Sequence, residues 1–221
     1  LKELCKLDFR WVRLHYLYPE LIDDALIDEI AGEDKIVKYL DIPIQHINDT
    51  ILRRMNRRGT GEEIRSLFRK LRERIPGLVL RTSLITGLPG EGEAEFEELC
   101  DFLREAKIER AGVFPYSPEE GTPAALMPDR CSAEEAQRRA ELCMEIQSEI
   151  MDGFAETFIG RELDVLVMGR EPDGTPWGRS EYDSPDIDSR VIFSGDAAPG
   201  DMVRVRITSV DDGELIGEQT E

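Results

Sequence analysis

A glycine turn between a short apolar strand and a helix is the first part of the sequence whose residue types suggest chemistry. Residues 80–91 read Leu-Arg-Thr-Ser-Leu-Ile-Thr-Gly-Leu-Pro-Gly-Glu. Gly87 and Gly90 can adopt positive φ, and Pro89 fixes the turn between them. At the carboxyl edge of a parallel sheet, such a turn exposes backbone groups to a ligand. The pattern fits a ligand site and fits an ordinary strand-to-helix turn without a ligand equally well.

Polar side chains at the ends of two neighbouring predicted strands could also hold a ligand. Gln45 and His46 follow the second predicted strand, and Arg81 and Ser83 share one face of the third because they are two residues apart. Arg81 offers a planar fork that suits a carboxylate. For His46, and equally for His15, a hydrogen-bonded histidine with no catalytic task is the alternative interpretation.

A basic island occupies residues 53–58, Arg-Arg-Met-Asn-Arg-Arg, in a chain whose formal net charge is −19. A solvated helix face is the ordinary interpretation of such a run. The alternative is that Arg57 and Arg58 contact an anionic substrate residue or a further domain. The overall negative field repels phosphate backbones, so it suits a basic protein partner or a small ligand better than a nucleic acid.

The four cysteines do not form a recognisable metal motif. Cys5, Cys100, Cys131 and Cys143 are all more than four residues apart, so no zinc or iron–sulfur spacing can be written. Cys100 and Cys143 fall on the apolar faces of predicted helices, which favours buried thiols.

Composition places the chain among globular proteins. It has 221 residues, of which 40% are hydrophobic and 34% are charged. No apolar run approaches the roughly 20 residues that cross a bilayer. No signal-peptide pattern opens the sequence, so a cytoplasmic location and no membrane partner are predicted.

Strand and helix signals alternate four times in residues 1–157. Capping boxes at Thr60 with Glu63 and at Ser132 with Glu135 mark the starts of two of the helices. Strands that alternate with helices indicate parallel βα units and an α/β class. The predicted strands are residues 9–18, 38–44, 78–85 and 110–116.

The pattern changes in residues 158–221. Leu163, Val165 and Val167 alternate with polar residues, and so do Val203 and Val205. Short strands separated by Gly and Pro predict a small all-β module, most simply a five-stranded barrel. The predicted domains are therefore residues 1–157 and 158–221.

Five short motifs, taken in order, resemble the radical SAM methylthiotransferases. The motifs are Leu14-His15-Tyr16-x-Tyr18-Pro19, Asp41-Ile42-Pro43-Ile44-Gln45-His46, Ile85-x-Gly87-x-Pro89-Gly90-Glu91, Tyr116-Ser117-Pro118-x-Glu120-Gly121-Thr122 and Gln137-Arg138-Arg139. The carboxyl-terminal module resembles their TRAM domain. Within it, Gly178-Arg179-Ser180 and residues 183–188 resemble the RimO branch, which adds a methylthio group to an aspartate of a small-subunit ribosomal protein.

The resemblance implies a fold and a set of cofactors. The fold is the later part of a radical SAM partial (β/α) barrel, lacking its first strands, followed by an OB-like TRAM barrel. The cofactors are S-adenosylmethionine (SAM) and two four-iron four-sulfur clusters, whose ligands this chain lacks. We therefore expect a fragment that is inactive alone and that would contact amino-terminal domains of the same protein.

The resemblance also implies site residues, although no catalytic residue or metal ligand can be identified. Residues near strand ends hold SAM, with its ribose or carboxylate beside Gln45 and its adenine against the backbone after the third and fourth strands. The predicted SAM contacts are Gln45, His46, Arg81, Ser83, Ile85, Gly87, Phe114 and Tyr116. The predicted substrate contacts are Arg57, Arg58, Glu181, Asp183, Asp186 and Asp188.

Charge selects among the possible substrates. Residues 160–221 contain six arginines, no lysine and fifteen acidic side chains, which favours a basic ribosomal protein and disfavours direct contact with nucleic acid. Two alternatives stay open: a tRNA-modifying methylthiotransferase of the same superfamily, and a non-catalytic module that docks the ribosomal protein.

Overall fold

Four parallel strands form the sheet of the first half of the chain in the computed structural model, which describes residues 1–220. They lie side by side in sequence order. The strands are β1 (Val12–Leu14), β2 (Ile36–Asp41), β3 (Val79–Thr86) and β4 (Arg110–Pro115). The predicted parallel α/β sheet is thus confirmed. Its first strand is shorter than predicted because Tyr16 adopts φ +56 and ends the extended run.

Six helices accompany the strands. They are α1 (Lys2–Cys5), α2 (Asp24–Gly32), α3 (Asp49–Arg54), α4 (Gly61–Arg74), α5 (Glu93–Ala106) and α6 (Ala133–Glu156), with single 3₁₀ turns at Pro19–Leu21 and Ala124–Leu126. The capping box that opens α4 is present, since the Thr60 side chain accepts from the Glu63 N–H and the Glu63 carboxylate accepts from the Thr60 N–H. Helix α2 begins at Asp24 because the Asp23 carboxylate accepts from the Leu26 N–H and so caps it.

The alternation along β3 sorts its side chains between core and site. Leu80 and Leu84 are fully buried and belong to the apolar core formed with the helices. Arg81, Ser83 and Ile85 point to the other face, where they are partly exposed. The strand therefore presents polar and apolar groups to a ligand from a rigid element.

The second half forms a closed barrel with strand order β5-β6-β7-β9-β8, which confirms the predicted five-stranded architecture. The strands are β5 (Glu162–Arg170), β6 (Pro176–Arg179), β7 (Val191–Ser194), β8 (Met202–Asp211) and β9 (Glu214–Gln219). Alternating Leu163, Val165 and Val167 are buried in its core. Gly178 allows β6 to approach β5, since a Cβ there would lie 2.3 Å from the Leu166 carbonyl oxygen.

Contacts divide the chain into two units, Leu1–Glu149 and Ile150–Glu221. The division falls within α6, before the predicted boundary, because Ala155 and Phe158 pack into the barrel core. The boundary between residues 157 and 158 stays a prediction. Among the described residues, no helix is both long and apolar enough to span a membrane.

Candidate functional site

Gln45 is fixed at the carboxyl edge of the sheet by backbone pairing. Its N–H donates to the Ser83 carbonyl at 2.9 Å, and its own carbonyl accepts from the Ile85 N–H at 2.8 Å. Gln45 adopts φ +72, a left-handed conformation that is uncommon for a residue with a side chain. The pairing overrides this preference and places Gln45 beside the outward face of β3.

A cavity of about 510 Å³ opens at this edge. Five of the eight predicted SAM contacts line it: Gln45, Ser83, Ile85, Phe114 and Tyr116. Phe114 is 53% exposed, so one face of its ring is available to a planar ligand. The Tyr116 hydroxyl is buried and has no hydrogen-bond partner among the described residues. Apolar walls with a few convergent polar groups are typical of small-molecule sites.

A second, smaller cavity of about 240 Å³ adjoins the first. The two share Gln45, Arg57 and Ser83 as lining residues. The remaining wall of the smaller cavity comes from the segment after β1 and from the end of β2. It consists of Tyr16, Leu17, Tyr18 and Pro43. Tyr16, Tyr18 and Pro43 lie within two of the quoted motifs, but no local pattern in the sequence predicts that they line a cavity.

Within the basic island, Arg57 differs from its neighbours. It lines both cavities, and its guanidinium makes no ion pair or hydrogen bond within the described part of the chain. Arg54 is occupied, since it donates to the Pro128 carbonyl and pairs with Asp129. Arg58 is exposed and lines neither cavity. Of the two predicted substrate contacts in the island, Arg57 therefore lines the cavities and Arg58 does not.

The guanidinium of Arg81 already has a carboxylate partner. Arg81 Nη1 donates to Asp41 Oδ1 at 2.9 Å, and Asp41 is only 1% exposed. Asp41 Oδ2 accepts from the Tyr16 N–H and lies 3.7 Å from His15 Nδ1. Arg81 therefore compensates this buried carboxylate, which also fixes the backbone of Tyr16 at the wall of the smaller cavity. Contact of Arg81 with SAM stays a prediction.

His46 lies in a buried ionic network below the glycine turn. It is 1% exposed, and its Nδ1 accepts from the Asn48 N–H at 3.0 Å. Its Nε2 lies 3.3 Å from Glu91 Oε2, but not in hydrogen-bond geometry. Glu91 Oε1 accepts from the Gly87 N–H and from Arg139 Nη1, both at 2.9 Å. His46 thus contacts Glu91 and not the large cavity, which supports the structural interpretation of this histidine.

Opposing effects act on the Glu91 carboxyl group. Complete burial raises the pKa of Glu91, but His46, the Gly87 N–H and Arg139 together lower it more. The pKa of Glu91 therefore lies below its ordinary value of 4.5. The network is ionic at neutral pH and joins the ends of β2 and β3 to α6.

The two turn glycines have packing reasons to be glycine. Gly87 adopts φ +75, and a Cβ there would lie 2.4 Å from the Ala136 Cβ. Gly90 adopts φ +88, and a Cβ there would lie 2.4 Å from Arg54 Nη1. The sequence predicts that the conformational freedom of these glycines admits a ligand. In the structure it allows the turn to pack closely against α6 and Arg54. Contact between Gly87 and a cofactor stays a prediction.

The acidic loop of the barrel is closed by its own carboxylates. Asp183 is 1% exposed, and its Oδ2 accepts from the Ser180 N–H and hydroxyl at 3.1 and 2.5 Å. Asp188 Oδ2 accepts from the Ser184 N–H at 2.7 Å. Asp183 is thus buried and stabilises its own loop, and its contact with a partner stays a prediction. Asp186 is exposed and Glu181 half-buried, so both stay candidates for docking.

Most of the barrel arginines interact with groups of the same unit. Arg161 lies over the rings of Phe158 and Tyr182, and burial lowers the pKa of Arg179. The other four form ion pairs, namely Arg170 with Asp196, Arg190 with Glu171 and Glu214, Arg204 with Asp164, and Arg206 with Glu162. Four of the six arginines of this unit therefore have a carboxylate partner within the unit.

The four cysteines are free thiols. Cys100 and Cys143 are buried with their Sγ atoms 3.9 Å apart, as the sequence predicted for buried thiols. Cys5 and Cys131 are partly buried. Over residues 1–220, no group of three or more His, Cys, Asp or Glu side chains could hold a metal ion.

Family models match both units. Residues 1–103 match the radical SAM superfamily, and residues 159–219 match the TRAM domain. A solved structure of coproporphyrinogen III oxidase (HemN) from Escherichia coli, described as a radical SAM enzyme, is similar with a TM-score of 0.53 and 21% identity. The similarity covers 63% of this chain and 32% of HemN, and it concerns the fold alone.

Curated relatives match nearly the whole chain. A protein of Geotalea uraniireducens named "Ribosomal protein uS12 methylthiotransferase RimO" is 47% identical over 222 residues, which cover 99% of this chain and 50% of the relative. A protein of the same name from Geobacter sulfurreducens is 48% identical with the same coverage. The chain spans about half the length of these relatives. It belongs to the radical SAM methylthiotransferase family, as the carboxyl-terminal part of its RimO branch.

Proposed function

We propose that this chain forms the SAM-binding edge and the substrate-facing part of a methylthiotransferase that modifies an aspartate of ribosomal protein uS12. The observation that carries the proposal is the pair of adjoining cavities at the carboxyl edge of the sheet, which share Gln45, Arg57 and Ser83. One cavity can hold a cofactor while the other admits a side chain. Both reacting groups would then meet at the shared wall.

The residues of the larger cavity suit the adenosyl part of SAM. Ile85 and the exposed ring of Phe114 supply apolar surface for the adenine, and the unpartnered Tyr116 hydroxyl can donate or accept a hydrogen bond. Gln45 and Ser83 offer polar groups for the ribose or the amino acid part. Bound SAM supplies radical chemistry at unactivated C–H bonds. The task of this chain's residues is to orient SAM and substrate.

The cysteines of this chain do not suit the clusters that the family uses, so we assign none of its residues to a cluster. What the chain contributes is positioning. β3 and the residues paired with it hold the cavity wall in place, since Gln45 bonds to the backbone at both Ser83 and Ile85. A site on strand ends is more precisely fixed than one on loops.

Charge favours a protein substrate over tRNA. The barrel unit has an excess of carboxylates, and its arginines are paired or packed on aromatic rings. Ribosomal proteins are basic because they bind RNA, so an acidic surface attracts them and repels tRNA. Such attraction mainly accelerates encounter.

Binding of purified uS12 to this chain should weaken as salt rises and the Debye length falls to about 8 Å. The double variant Glu181→Gln with Asp186→Asn should lower the association rate roughly threefold, because it removes two negative charges from side chains of the loop that are not fully buried. The control variant Asp8→Asn with Asp34→Asn removes the same charge from exposed positions in the first unit. Stopped-flow measurements give the rates. Tighter binding of tRNA than of uS12 in the same buffer would contradict the proposal.

A further inference from the structure

Arg57 is an unsatisfied cation at the boundary of two cavities. Within the described part of the chain its guanidinium contacts no carboxylate, although the chain carries 47 acidic residues. Its position is set by the backbone, since its N–H donates to the Leu52 carbonyl at 2.8 Å and the preceding Asn56 adopts φ +54. An arginine without a carboxylate partner in its own chain is well placed to form a strong ion pair with a carboxylate of a ligand.

Two other arginines near the edge already have carboxylate partners. Arg81 pairs with Asp41, and Arg54 pairs with Asp129. Neither of these arginines lines the cavities, whereas Arg57 lines both. A negatively charged ligand group that enters from solvent would therefore find Arg57 as its cationic partner.

The smaller cavity has a wall that is ordered before any ligand arrives. Tyr16 and Leu17 donate their N–H groups to the Asp41 carboxylate and carbonyl, at 3.4 and 2.9 Å. Gln45 is held by pairing with β3. Tyr16 is 73% exposed and Tyr18 is 55% exposed, so two aromatic rings flank the entrance. Such preorganisation lowers the entropy that binding must overcome.

We propose that the smaller cavity receives the substrate side chain and that Arg57 selects a carboxylate there, so that aspartate is accepted and asparagine is rejected. The inference rests on the proposed function and assigns the recognition step to one residue. The carboxylate of aspartate accepts two hydrogen bonds from the guanidinium fork. Asparagine would present an amide N–H₂ to the same donors and leave part of the arginine unpaired.

The test uses two small probes and this chain. N-acetyl-L-aspartate N-methylamide and its asparagine counterpart are titrated while ¹H–¹⁵N spectra are recorded. We expect the aspartate probe to bind about tenfold more tightly, because the asparagine probe lacks about one charge-assisted hydrogen bond to Arg57. Arg57→Met should abolish the preference, and Arg57→Lys should keep a part of it because lysine retains the charge but not the fork.

Two controls test whether Arg57 itself causes the preference for the aspartate probe. Arg53→Met removes an exposed arginine of the same island and should leave the preference unchanged. S-adenosylhomocysteine is titrated in parallel, because loss of its binding in Arg57→Met with an unchanged aspartate preference would assign Arg57 to the cofactor instead. Equal binding of both probes, no saturable binding of either, or an intact preference in Arg57→Met would overturn the inference. If Arg57→Met leaves the preference intact but the enzyme still modifies uS12, the proposed function stands and only the role assigned to Arg57 is wrong.

Discussion

Replacing Glu91 with alanine should lower the unfolding free energy of the first unit by about 3–5 kcal/mol. The carboxylate is completely buried, and it accepts from the Gly87 N–H and from Arg139. Its removal leaves the Arg139 guanidinium, 7% exposed, without its most buried partner. It also leaves the Gly87 N–H unsatisfied in a turn that packs against α6.

The two tryptophans allow the unit to be followed by itself. With Trp177 replaced by phenylalanine, urea unfolding monitored by Trp11 fluorescence reports the first unit alone. Glu93→Ala is the matched control, since Glu93 lies 3.4 Å from the same arginine but is 64% exposed, and should cost less than about 1 kcal/mol. A similarly small loss for Glu91→Ala would show that the buried network does not hold the turn.

The same residue should make stability depend on pH. The folded pKa of Glu91 lies below its ordinary value of 4.5. Its contribution is therefore fully present above that value and is lost as the pH falls through the folded pKa. Glu91→Gln should flatten this part of the stability curve.

Arg81→Ala should also destabilise the first unit, by about 3 kcal/mol, before any effect on ligand binding is considered. The substitution removes the arginine that pairs with the Asp41 carboxylate, which is 1% exposed. The double variant Asp41→Ala with Arg81→Ala should cost less than the sum of the two single changes, because no buried charge is then left uncompensated.

Urea unfolding in the same Trp177→Phe background measures the cycle. Ser83→Ala is the control on the same face of β3, and should change stability by less than about 1 kcal/mol. Strict additivity of the two single changes would contradict the pairing. A large loss of stability in Arg81→Ala would also affect the interpretation of SAM binding. Weaker binding by this variant would then reflect a disordered cavity wall and not the loss of a contact between Arg81 and SAM.

The features that the sequence predicted correctly depend on residues close to one another along the chain. Alternation along residues 80–86 identified the face of β3 that forms the site, and the Thr60–Glu63 spacing identified the start of α4. Both follow from backbone periodicity and from side chains that bond to nearby backbone. Alternation also predicted the barrel strands in the second unit.

Long-range ion pairs could not be predicted in this way. Asp41 lies 40 residues from Arg81, and Glu91 lies 48 residues from Arg139. No local pattern indicates which carboxylate an arginine will meet, so Arg81 looked available to a ligand. The burial of Asp183 was not predictable for a different reason, since a run of acidic residues looks exposed to solvent until one carboxylate bonds back to its own loop.

The most direct test of the account is the substrate of a chimeric enzyme. This chain would replace the matching half of the Geotalea uraniireducens relative, and the purified, cluster-reconstituted chimera would receive SAM, a reductant, a sulfur source and either uS12 or tRNA. Mass spectrometry of the peptides and nucleosides then identifies the product. We predict a methylthio group on one aspartate of uS12 and none on tRNA. Modification of tRNA, or an inactive chimera beside an active parent enzyme, would contradict the assignment of this chain to ribosomal protein methylthiolation.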